Sequence, residues 1–141
     1  MPEPEPRRCD AKATDCLPVA IPRKGGDSPF TRRHNRGADN VSAKKYAGQD
    51  ICVNGKAFDG LFRNTLWEVK GHAWSYASIY KNPAVAEKIL RELVAELRAE
   101  SMIAAACKRK FKVGVCDAGL QAVLAAAAPE LVIELIRCSK K

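Results

Sequence analysis

Asp59, Glu68 and Lys70 are the side chains of this 141-residue chain whose types and spacing could do chemistry: eight residues separate the two acids and one separates Glu68 from the lysine. They lie in the stretch from Asp50 to Gly71, DICVNGKAFDGLFRNTLWEVKG. Two carboxylates can hold a hard divalent cation such as Mg²⁺, which takes oxygen ligands and leaves positions for water and a phosphate. An ammonium beside them can orient the attacking water or balance negative charge on that phosphate. Hydrolysis of a phosphoester is the reaction this trio suits.

The elements that must position the trio are strands. Asn54-Gly55 is a strong hairpin signal, because a two-residue type I′ turn needs positive φ at both central positions. A turn of that length sets Val53 opposite Lys56, Ile51 opposite Phe58 and Asp50 opposite Asp59. An equally tight turn at Arg63-Asn64 sets Phe62 opposite Thr65 and Asp59 opposite Glu68. Alternation then gathers Ile51, Val53, Phe58, Phe62, Trp67 and Val69 on a core face, and Asp50, Asp59, Glu68 and Lys70 on the other. Like charges opposite each other on a sheet are unfavourable by up to about 1 kcal/mol per pair, and a divalent cation would compensate them.

Phe58-Asp59-Gly60 followed by Glu68-Val69-Lys70 resembles the core of the PD-(D/E)XK nuclease superfamily, the restriction-endonuclease-like enzymes. The resemblance implies a Mg²⁺- or Mn²⁺-dependent phosphodiester-cleaving site in which Asp59, Glu68 and the backbone carbonyl of Val69 bind metal and Asp59, Glu68 and Lys70 are catalytic. Phe58 stands where that family often has proline. The phrase VNGKAFDG and its spacing resemble, more closely, toxin-type domains at the C-termini of bacterial polymorphic toxins, over roughly residues 39 to 137. That implies nucleic acid as substrate, DNA favoured over RNA, and a possible cognate immunity protein. Asp50 is a possible additional acid. His72 shares the parity of Glu68 and Lys70 and is a possible additional proton carrier or phosphate contact. His34 resembles a histidine that precedes the acidic stretch in related toxin domains.

Composition agrees with an anionic partner. Lys and Arg number 24 against 16 Asp and Glu, a net charge of +8, and phosphate neutralisation favours basic residues. Arg32, Arg33 and Arg36 in the N-terminal arm, with Lys108, Arg109 and Lys110, are the expected backbone contacts. Trp74, Tyr76 and Tyr80 could stack on bases, although core packing is the commoner role at such spacing. Nothing reads as a basic amphipathic membrane helix, and Gln121, Pro129 and Glu130 interrupt the longest apolar stretch. MPEPEPRRCD lacks the apolar run of a signal peptide; the resemblance to toxin-type domains implies a domain secreted or delivered as part of a larger toxin and acting in the target-cell cytoplasm. The six cysteines have no zinc-site spacing. They are either reduced thiols or disulfides, with Cys9 and Cys16 the pair to test first.

Residues 1 to 38, which hold most of the prolines, read as a basic linker or arm, and residues 39 to 141 as the nuclease-like domain. A short helix is expected from Asp39 or Asn40 to about Gly48. After the meander come an amphipathic helix from Pro83 to about Cys107 with Val85, Ile89, Leu93 and Leu97 toward the sheet, a strand at FKVGV, a helix from Ala118 to Ala128 capped by Asp117, and a buried strand from Leu131 to Ile136. The expected architecture is α/β and restriction-endonuclease-like: a three-stranded antiparallel meander plus two further strands, flanked by helices. A non-catalytic nucleic-acid-binding module, or an interaction protein on the same fold, is the alternative to an enzyme.

Overall fold

Two tight turns set the centre of the chain. In the computed structural model, which describes residues 9, 15–23, 28–74 and 82–139, Asn54 has φ 48° and Gly55 φ 80°, the pair of positive values a type I′ turn requires. Strands β1 (Val19–Pro22), β2 (Gln49–Val53) and β3 (Lys56–Phe58) form an antiparallel sheet in that order, with Val53 opposite Lys56 and Ile51 opposite Phe58. Strands β4 (Gly60–Phe62) and β5 (Thr65–Lys70) meet at the second turn, Phe62 opposite Thr65. Strands β6 (Lys110–Val115) and β7 (Ile133–Leu135) continue this second sheet in parallel, in the order β4-β5-β6-β7.

The expected meander is therefore present in order but broken in the middle. The chain bends at Asp59, so β3 stays with β2 while β4 crosses to β5. On its other edge β2 pairs with β1, where Asp50 stands opposite Ile21. The bend also resets the alternation: Phe58 and Leu61, three residues apart, enter one core cluster with Ile51, Val53 and Leu66. Phe62, expected in the core, is 47% exposed. Gly60 permits the bend, since a Cβ there would stand 2.9 Å from the Cβ of Ser42. Ser42 in turn closes the edge of β4, its hydroxyl accepting the Leu61 N–H at 3.0 Å.

The segment expected to be an irregular arm holds regular structure. Ser28 accepts the Thr31 N–H and Pro29 occupies the first turn, so helix α1 runs over Pro29–Val41. The helix expected to begin at Asp39 or Asn40 thus starts ten residues or more earlier, and the 38/39 boundary falls inside it; a single turn of 3₁₀ helix follows at Lys44–Tyr46. Arg7, Arg8 and Lys24 lie outside the described residues, as do Tyr76 and Tyr80. Helix α2 (Pro83–Ala106) is capped by Asn82, and helix α3 (Ala118–Ala127) by Asp117, whose carboxylate accepts the Leu120 N–H at 2.9 Å. No described helix is long and apolar enough to cross a membrane.

Helices cover both faces of β5. Toward α1, Gly37 has no Cβ and lets Val69 approach; toward α2, Leu66 packs with Ala104. A second cluster joins Val94 and Leu97 of α2 to Val113, Val115, Leu120 and Leu124. Val85 and Ile89, expected to face the sheet, are exposed among the described residues. The last strand is an edge strand, shorter and less buried than its apolar run suggested. Cys9 is bonded to Cys52, Cys16 to Cys107 and Cys116 to Cys138, so the Cys9–Cys16 pairing is replaced by bonds that fasten both ends of the chain to the sheets.

Two measurements test this fold. Replacing Cys16 and Cys107, 91 residues apart, by serine is expected to lower stability by roughly 2–5 kcal/mol in urea unfolding, and peptide mapping without reductant should recover the three stated pairs. Asp117→Ala should lose about 1 kcal/mol with its cap. The Trp74 and Leu120 N–H groups hold the Asp117 carboxyl below its ordinary range, so its contribution is complete above the unfolded carboxyl pKa and disappears as pH falls through the depressed folded value. Asp117→Asn should flatten that acid limb.

Candidate active site

The break at Asp59 turns an acidic side chain inward beside β5. Its backbone N–H donates to the Trp67 carbonyl at 2.9 Å, and its Oδ2 accepts the Val69 N–H at 2.7 Å. His34 of α1 brings Nε2 to 3.3 Å from the same oxygen, while its Nδ1 lies 3.1 Å from Asn35 Oδ1. The Asp59 and Glu68 carboxyls are close enough to shift each other's pKa. Asp59 is tied to β5, the strand that carries Glu68, through the Trp67 carbonyl and the Val69 N–H.

Their environments drive the two carboxyls apart. Burial raises the Asp59 pKa, but bonds from His34 and Glu68, the His34 charge and the Val69 N–H outweigh it and bring the value to about 2. At Glu68, burial comes first and the bond and charge of Asp59 add to it, with repulsion from Glu100, so its carboxyl sits well above the ordinary range. One acid is fixed as a carboxylate and its neighbour tends to keep a proton. His34 is raised, chiefly by its bond to Asp59 and against the effect of burial.

Lys70 completes the trio. Its Nζ lies 3.6 Å from Glu68 Oε2 and 3.1 Å from Glu96 Oε1. Burial works against its charge, yet Glu68 and Glu96 prevail and the ammonium is held above its usual range. Glu96 belongs to α2, and so does Glu100, whose side chain is only 2% exposed and lies 3.3 Å from Lys56 Nζ. One oxygen from each of Glu68, Glu96 and Glu100 falls within 4.8 Å of the others. The two helix glutamates were not anticipated. Their signal is visible in hindsight: Leu93, Leu97, Glu100 and Ala104 follow one helical stripe, and a carboxylate stands where a core residue belongs.

Asp50 lies within electrostatic reach of Asp59 and is raised first by burial and then by the Asp59 charge, but its Oδ1 is bound by Arg23 Nε at 3.2 Å. Arg23, in the segment read as a basic linker or arm, is a buried clamp: it also reaches Asp39 at 2.8 Å and the carbonyls of Gln49 and Asp59. His72 follows β5, is exposed and stacks with Phe30 at 4.9 Å. Its pKa is lowered by burial and then by the Lys70 charge. Trp74 is partly buried against the core cluster of Val94 and Leu120, which favours packing over base stacking.

The six expected nucleic-acid contacts divide into two places. Arg32, Arg33 and Arg36 lie exposed on α1, the helix that carries His34, and Arg33 donates to the Cys116 carbonyl just past the end of β6. Lys108, Arg109 and Lys110 stand at the other end, since Lys110 pairs with Thr65 whereas Lys70 pairs with Val115. Five residues of strand separate those ends, roughly 16 Å. Arg109 is half-buried and bonds Asn64 at 3.2 Å. Only the α1 arginines lie on the element that reaches the acidic centre.

Residues 9–138 match the model of a family described as "Family of unknown function (DUF6310)". No curated protein and no solved structure matches the chain significantly. Arg23→Met is expected to cost roughly 3 kcal/mol in urea unfolding, because Asp39 and Asp50 lose their buried partner, and Asp50→Asn in that background should recover part of the loss.

Proposed function

The chain belongs to the DUF6310 family, and from the geometry of its acidic centre we propose that it is a metal-dependent nuclease that hydrolyses phosphodiester bonds, with DNA favoured as substrate. The observation that carries this reading is the adjacency of Asp59, Glu68 and Lys70 at the bend between two sheets, with Asp59 bonded to the Val69 N–H at 2.7 Å and Lys70 Nζ 3.6 Å from Glu68 Oε2. The order α1, β2, β3 with β4, β5, α2, β6, in which β6 runs parallel to β5, supports the restriction-endonuclease-like architecture that the motif implies.

The residues fit a hard divalent cation. Carboxylate oxygens supply the donors, and Asp59, Glu68 and the Val69 carbonyl would hold Mg²⁺ or Mn²⁺. In an extended strand the N–H and C=O of one residue point the same way, and the Val69 N–H points at Asp59. When bound, such an ion lowers the pKa of a coordinated water and stabilises charge on a phosphate.

The chain's own residues do the rest. His34 and the Val69 N–H fix Asp59 in one orientation and one charge state. Lys70, held cationic between Glu68 and Glu96, can orient the attacking water or meet charge building on a phosphate oxygen. Arg32, Arg33 and Arg36 offer charge to the nucleic-acid backbone without reading its sequence. Three disulfides suit a domain that passes through an oxidising space, which supports the role of a toxin effector acting in a target cell, with a cognate immunity protein as partner.

A non-catalytic nucleic-acid-binding module is favoured by one observation, the engagement of Lys70 by Glu96 at 3.1 Å. Incubating plasmid and RNA with the protein, Mg²⁺ or EDTA separates the readings. Cleavage should require the metal, and Asp59→Ala and Lys70→Ala should each reduce the rate by ~10² or more. Salt-sensitive binding without nicking would favour the module; neither binding nor nicking would point to an interaction protein.

A further inference from the structure

We propose that α2 supplies a second cation position, in which Glu96 and Glu100 join Glu68 to bind a hard divalent ion beside the Asp59 site. Two glutamates one helical turn apart repel each other, and Glu96 and Glu100 are brought against a third. Crowding of acids alone would be a weak indication. The second observation is Glu100 itself: its side chain is 2% exposed, and among the described residues neither of its oxygens has a hydrogen-bond partner. A buried carboxylate is normally satisfied by several donors. Oε1 has only the Lys56 ammonium, 3.3 Å away and without hydrogen-bond geometry, and Oε2 has no hydrogen-bond partner among the described residues, which leaves a place that a metal ion fits.

The surrounding charges agree. Lys56 lies 3.3 Å from Glu100 and Lys70 lies 3.1 Å from Glu96, so two ammonium groups face three acids. Lys56 is 37% exposed and can swing into solvent when an ion takes its place. Asp59 is outside the cluster, and its Oδ2 is already engaged by Val69 and His34. Glu68 would then serve two positions, one with Asp59 and one with the helix. All-oxygen donors select Mg²⁺ or Mn²⁺ over softer metals. The inference rests on the nuclease reading for what the ion does, and on geometry alone for whether it binds.

The test is thermal unfolding of the full chain, disulfides intact, with and without Mg²⁺ or Mn²⁺ at up to about 10 mM, beyond the range of weak sites, against a monovalent salt of equal ionic strength. Wild type should gain several degrees in Tm with metal. Glu100→Gln should fold with an undiminished metal-free Tm and lose most of that gain; Glu96→Gln, at a half-exposed position, should lower Mn²⁺ affinity in calorimetry by roughly tenfold. A wild-type Tm indifferent to both metals, or variants whose metal response equals wild type, would overturn the proposal. Metal binding that depends on Glu96 and Glu100 without any cleavage would sustain it and remove the nuclease reading. Metal-dependent cleavage with unchanged binding in both variants would do the reverse.

Discussion

Four acidic side chains, Asp59, Glu68, Glu96 and Glu100, meet where the chain passes from one sheet to the other, and the fold has to make their mutual repulsion and lost hydration tolerable. Burying an uncompensated carboxylate is expensive, so such groups are paired, protonated or bound to metal. Pairing is visible at each of these acids. The Val69 N–H and His34 bond Asp59, Lys70 and Lys56 face the helix acids, and burial with the Asp59 charge raises the Glu68 pKa.

The bend at Asp59 makes this meeting possible. A continuous strand through residues 56–62 would keep Asp50, Asp59 and Glu68 in one row. The break sends β3 and β4 to different sheets, brings Phe58 and Leu61 into one core, and leaves Asp59 at the joint with its N–H and carboxylate both bonded to β5. Arg23 secures the other side of the joint by gripping Asp39, Asp50 and the Asp59 carbonyl. Residues at either end of the sequence are drawn into the same frame, because Cys16 is tied to Cys107 and Cys116 to Cys138.

The helix glutamates change how the centre reads chemically. A pair of strand acids with a lysine is a small site open on one flank; α2 closes that flank with two more carboxylates. The basic residues sit apart. The arginines of α1 are on the helix that touches Asp59 through His34, whereas the Lys108 to Lys110 segment lies at the far end of β5. The exposed basic residues and the acidic centre thus lie on different elements, with α1 carrying both its arginines and His34.

Local rules in the sequence determined the two tight turns, the pairings around them, the cap at Asp117, the helix start at Pro83, and the placing of Glu68 and Lys70 on one face of β5. Each of these depends on residues a few positions apart, through allowed φ values, alternation or a side chain reaching a nearby N–H. The tertiary structure alone decided the pairing of six cysteines, the inclusion of Val19–Pro22 as a strand, the burial of Arg23 and the arrival of Glu96 and Glu100 beside Glu68. These contacts join residues tens of positions apart, and no local period records which distant surfaces meet. Glu100 marks the boundary between the two kinds of knowledge: its place in an apolar stripe was written in the sequence, but what it faces depended on α2 packing against β5 and β6.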